Sequence, residues 1–185
     1  MRALLRCFAG SALSFLLLTA VPAEAGRDPL SGPEIDQLRD TAMEPEARLK
    51  LYIKFARARL ASVEQARSDP KVEDRGLEVH GRLQDFLDVY DELNDNIDTY
   101  AGRKWDLRKP LKFVLEADTE FQAKLRALQD SVKRAKEEVK QYEFLLSNAI
   151  ETLDSSAQDH RQLVSEQEEA ARHKKLINPA ARERP

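Results

Sequence analysis

Thirteen residues, DVYDELNDNIDTY from Asp88 to Tyr100, carry five acids and no base. With Asp85 just before them, the carboxylates of Asp85, Asp88, Asp91, Glu92, Asp95 and Asp98 are spaced three and four apart. On a helix that spacing makes them neighbours on one face. Such a face can hold a cation, dock a basic partner, or simply stay wet. Tight calcium sites gather six or more oxygens from a loop or from several elements. A single straight helix splays its carboxylates apart, so Asp88, Asp91, Glu92 and Asp95 are at most candidates for a weak divalent-cation site. Six like-charged pairs cost the helix about 1–3 kcal/mol, at roughly 0.2–0.5 kcal/mol each. That is small beside the burial of an apolar seam, so an exposed acidic face is tolerable. The two readings kept beside the solvated one are a surface for a basic partner and the weak cation site.

The other residues capable of chemistry are scattered. His80, His160 and His173 have no Glu-x-x-His or His-Glu-x-x-His context, and no Gly-rich phosphate loop or Gly-x-Ser-x-Gly elbow is present. His160 falls on an apolar seam. An enzyme would need an enclosed pocket holding His80 or His160 with a carboxylate partner. The one cysteine, Cys7, lies in the N-terminal segment discussed below. The expectation is no catalysis and no cofactor. Trp105 stands in the basic turn GRKWDLRK, either plugging the end of a bundle or touching an anionic surface. Arg126, Lys133 and Lys140 recur every seven residues as an outward stripe.

The elements that must position these residues are helices. Ala, Leu, Glu, Lys, Arg and Gln dominate, 34% of residues are charged, and only six are glycine. Residues 1–25 read as a secretory signal: Arg2 and Arg6, a short apolar run, then Ala-Glu-Ala with cleavage after Ala25. Its removal takes two of 30 bases and one of 33 acids, leaving a net charge of about −4 and no cysteine. A near-balanced charge does not suit a general nucleic-acid binder. It also leaves no apolar stretch of the roughly twenty residues that a membrane span needs. The expected location is the bacterial periplasm or outside the cell.

Residues 26–32 read as a linker, 33–171 as one helical-bundle domain, and 172–185 as a disordered charged tail. Ser31 to Glu34 form a capping box with Pro33 in the first turn. A short helix follows, and Pro45 starts a second that runs to about Arg67. Ser68, Asp69 and Pro70 announce a third from about Lys71, whose seam is Val79, Leu83, Phe86, Tyr90, Leu93, Ile97 and Tyr100. Gly102 is expected to close it in a left-handed cap. From Asp106 a fourth helix carries one seam from Leu111 through Val132 and Ala135 to Leu153, interrupted only by Asp118. SSAQ at Ser155 either bends it or caps a separate C-terminal helix. The fold class is all-α: an elongated antiparallel bundle of three long helices with a short N-terminal one.

The second helix carries two apolar stripes. Leu49, Ile53, Ala56, Leu60 and Val63 form one, and Leu51, Phe55 and Ala58 another on a different side. Either the short front helix folds back over Leu51 and Phe55, or that stripe meets a partner or a second copy. The partner-binding candidates are therefore Leu51, Phe55 and Ala58, the acids from Asp85 to Asp98, and Trp105.

Met43 to Gln65, with its acid-Pro-acid start at Glu44-Pro45-Glu46 and its Ala56, Arg59 and Leu60, resembles a segment of exported or membrane-tethered bacterial helical proteins of no known function. The resemblance implies an exported helical protein and no particular activity. The function expected is that of a non-enzymatic binding, scaffold or chaperone-like protein. The alternative is a divalent-metal- or ligand-binding bundle.

Overall fold

The structure, a computed structural model, describes residues 28–132 and 139–177. The expected signal, Ala135 and the last residues of the tail lie outside them. Within them the chain is all-helical: α1 (Gly32–Asp40), α2 (Pro45–Ser68), α3 (Arg75–Gly102), α4 (Pro110–Val132) and α5 (Glu143–Ile177), with a short 3-10 turn at Val139–Gln141 ahead of α5. No helix among the described residues is long and apolar enough to cross a membrane.

Among the described residues there are four long helices, not three. The expected continuous fourth helix is two, α4 and α5, and they lie antiparallel. Asp118 meets His160, Gln122 meets Asp154, and the backbone of Leu107 meets Gln167. The reason is length. An unbroken helix from 106 to 153 would span roughly 70 Å, against about 36 Å for α2 and 42 Å for α3. Half of its seam would have nothing to bury against. Folding back lets Leu125, Leu128 and Val132 share a core with Tyr142, Leu146 and Leu153. Ser155 is neither a break nor a cap, but an interior residue of α5. Nor does the helix stop at 171. It runs on to Ile177, six residues into the expected tail.

Helix directions follow from the pairs. α2 and α3 are antiparallel, since Arg48 bonds Asn96 and Ala42, just ahead of α2, accepts from Tyr100. α2 and α4 run parallel: Arg57 pairs with Glu120 and Arg67 with Ser131. α3 and α5 also run parallel, through His80 with Gln141 and Asn94 with Ser156. The bundle is therefore two helical hairpins side by side, in ring order α2, α3, α5, α4. α3 and α4 stand diagonally and meet through side chains that reach across the centre. Phe121 lies edge-on to Phe86 (5.5 Å) and Tyr90 (6.3 Å) across the centre.

Two starts and stops differ from expectation. α3 begins at Arg75 and not at about Lys71, and its cap is Asp74, whose Oδ1 accepts from Leu77 N at 3.0 Å, in place of Ser68 or Asp69. Its left-handed closing residue is Lys104 (φ 60°), not Gly102. Lys104 N donates to Ala101 O (2.8 Å) and Trp105 N to Tyr100 O (3.1 Å). That is the six-to-one and five-to-two pair of a Schellman ending, completed by the apolar contact of Tyr100 with Trp105 at 5.3 Å.

Candidate functional site

The most concentrated chemistry is at the centre of the bundle. Asp118, the single interruption of the α4 seam, is 1% exposed; His160 of α5 is 4% and Tyr90 of α3 is 0%. Tyr90 OH donates to Asp118 Oδ1 at 2.8 Å, and His160 Nδ1 lies 2.9 Å from Asp118 Oδ2. With Asp118 a carboxylate, Nδ1 carries the proton and donates. Burial, then the charge of Asp118, raises the Tyr90 phenol far above its ordinary value, so it stays a neutral donor. Three helices are thus tied by one carboxylate whose two oxygens are both used. The line continues toward the surface, where Asn94 Nδ2 donates to Ser156 Oγ at 3.1 Å. Asn94 Oδ1, on this seam of α3 and α5, is buried without a hydrogen-bond partner. The carboxylate partner that an enzymatic histidine would need is present. The surface grooves described below are lined by other residues.

At the end of the bundle where α3 turns into α4, Trp105 is half-buried on Tyr100, and its carbonyl accepts from Gln167 Nε2 at 3.0 Å. It floors an open groove of about 480 Å³ together with Ala101, Leu163 and Ala171, and Lys104 and Lys174 stand at its edge. Arg108 pairs with Asp106 beside it. That hydrogen bond holds the Asp106 carboxyl down to about 2. A second groove of about 380 Å³ lies between α2 and α4, around Leu60, Arg67, Lys124 and Ser131.

The acids of α3 do not converge. Asp91, Glu92, Asp95 and Asp98 are exposed and Asp88 is half-exposed. Among the described residues no three His, Cys, Asp or Glu side chains are placed to hold a metal, so Asp88, Asp91, Glu92 and Asp95 form no chelating set. Asp85 departs from the expected face. It is 8% exposed, because it falls on the α2 side of α3 in register with buried Val89 and with Asn96, which bonds Tyr52. Arg82 lies 3.6 Å from it. Asp91 remains on the ridge, where loss of surrounding water, then the charges of Asp88 and Asp95, raise its carboxyl above the ordinary value.

The second stripe of α2 is not a free surface. Phe55 is 3% exposed and Leu51 half-buried, while Ala58 stays exposed. α1 folds back along α2 and adds Leu38 to the same core. The expected linker takes part: Arg59 donates to the carbonyl of Pro29, and Leu30 packs on the core. Of the basic stripe on the expected fourth helix, Arg126 is engaged by Asp154 at 2.7 Å, Lys140 is exposed, and Lys133 lies outside the described residues.

Sequence reasoning did not join Asp118 to His160. Each stood out alone, as a polar residue on an apolar seam. The signal was that they occupy one seam, but only a reversal between them brings the two together.

The fold and its central polar tie define an all-α bundle of two paired hairpins. No protein-family model matches the chain, and no curated protein or solved structure matches it either.

Proposed function

We propose that the chain is an exported, non-enzymatic helical-bundle protein that works by binding, as a scaffold, adaptor or chaperone-like factor of a bacterial envelope. The observation that carries this reading is the direction of the acids. Asp91, Glu92, Asp95 and Asp98 point into solvent from one helix, with no Lys or Arg between Arg82 and Arg103 to neutralise them. Outward carboxylates suit a basic macromolecular partner, whereas a metal needs convergence. The test is photo-crosslinking in intact cells from exposed Thr99, beside the ridge. The expected result is a discrete protein adduct that disappears when Asp91, Glu92, Asp95 and Asp98 become their amides. No adduct, together with sedimentation of residues 26–185 that changes on adding millimolar calcium, overturns the reading in favour of a cation site.

The groove at Trp105 favours a second reading, the binding of a small ligand, since an aromatic and alanine floor with charged edges has the usual composition of such sites. Quenching of the single tryptophan by a candidate ligand, lost on Ala171→Leu, would support it.

A further inference from the structure

We propose that the Leu51/Phe55 side of α2 is an acceptor groove for an amphipathic helix of a partner protein that carries a carboxylate four residues ahead of a leucine. α1 is its built-in occupant, a strap that opens as a unit. Glu34 and Leu38 of α1 are that pair, on one face of the helix at i and i+4. Arg59 reads the carboxylate in a two-pronged contact, Nη2 to Oε2 at 2.6 Å and Nη1 to Oε1 at 3.0 Å, and also holds the Pro29 carbonyl at 2.6 Å. At the other end Arg48 Nη1 donates to the Leu38 carbonyl at 2.5 Å, and Tyr100 to that of Ala42 at 3.1 Å. Leu38 is the one side chain of α1 that is wholly buried.

Every one of these anchors belongs to α2 or α3, and none uses the covalent link between α1 and α2. The site therefore recognises a helix of this chemistry whether it is tethered or free. α1 packs against α2 and holds little else. A nine-residue helix is not stable by itself, so once Leu38 leaves, the strap unravels in one step about the turn at 41–44. Phe55 and Leu51 would then form an uncovered apolar stripe with a guanidinium at its end, a surface that chains normally keep covered. This surface is separate from the acidic ridge, so each proposal can fail without the other.

The test is a fluorescence-anisotropy titration with a labelled peptide of residues 28–43. It is added to the full chain and to the full chain carrying Glu34→Arg with Leu38→Asp, whose own strap cannot seat. The variant is expected to bind the peptide about tenfold tighter or more than the wild type, where the tethered strap competes at an effective concentration near millimolar. Adding Arg59→Glu should abolish binding, and a peptide with Glu34→Arg should restore it. A folded variant that does not bind the peptide overturns the proposal. Native-state hydrogen exchange of the wild type tests opening without any variant. Amides 35–40 are expected to exchange through a local opening far faster than amides 52–60 of α2. Exchange of both segments through one global event overturns the strap, and a wild-type dimer formed by trading α1 makes a second copy the occupant instead of a partner helix.

Discussion

Asp118→Ala is the sharpest perturbation of this bundle. It removes the carboxylate that pairs Tyr90 with His160 and leaves both donors facing each other where water does not reach. Two unsatisfied buried donors cost about 1–3 kcal/mol each, so the loss is about 2–6 kcal/mol. At about 2–4 °C per kcal/mol for a chain of this size the melting point falls by about 4–24 °C. Asp118→Asn keeps the shape and one acceptor. One acceptor cannot serve two donors, so either the ring proton moves to Nε2 and the amide nitrogen donates to Nδ1, or the amide turns and donates to Tyr90, and the loss is about 1–2 kcal/mol. The triple change Tyr90→Phe, Asp118→Leu and His160→Leu removes every donor and acceptor of the cluster together, and returns stability to near the wild-type value. Urea denaturation followed by far-ultraviolet circular dichroism reads all three. If Asp118→Ala unfolds within about 1 kcal/mol of the wild type at an unchanged slope, water reaches the cluster and the claim of a dry polar tie is wrong.

Four further outcomes can be measured. Phe121→Ala, which empties the diagonal contact between α3 and α4, should cost about 3–5 kcal/mol in the same urea assay. Lys104→Gly relieves the left-handed backbone that closes α3. The strain is about 1–2 kcal/mol, partly offset by glycine's freedom in the unfolded chain, so calorimetry should show a gain of up to about 1 kcal/mol. Asp91→Asn should stabilise the chain by about 0.4–1 kcal/mol at neutral pH, from two relieved like-charge pairs. Because the Asp91 carboxyl is raised, that advantage should fade as the wild type protonates in acid, and comparison of urea midpoints at pH 7 and pH 3 checks it. For Glu34, burial alone would raise the carboxyl, but hydrogen bonds from Arg59 and Ser31 outweigh it and hold the value below the ordinary one. A depressed acid supplies stability that is complete above its unfolded value of about 4.3 and is lost as pH falls through the folded one. Hydrogen exchange of α1 should therefore be flat above about pH 5, after correction for the intrinsic rate, and accelerate below about pH 4.

The apolar seams of α2 and α3 were legible, because steps of three and four leave little choice of period. Leu49, Ile53, Leu60, Val79, Leu83 and Leu93 are all in the core. The seam of α3 is wider than its periodicity suggests. Leu87 and Val89 are also buried, since α3 touches α2 on one side, α5 on the other and α4 across the centre. The acid ridge was legible in composition and only partly in position, as Asp85 shows. Whether α1 would lie over Phe55 could be posed from sequence but not decided. It depends on Arg48 and Arg59 reaching backbone carbonyls that have no signature in side-chain type.

By itself the sequence determined the secondary-structure class, the helix-forming segments and most inward faces. Those rest on local propensity and on a period of 3.6 residues. It did not determine the reversal between Val132 and Glu143, because the seam runs in phase through that stretch and local rules permit a single helix. Only the tertiary structure decided it, by what could be covered. A helix twice as long as its neighbours leaves half its apolar face in water, and folding it back removes that cost. The same reversal set Asp118 against His160, forty-two residues apart in sequence and 2.9 Å apart in the core.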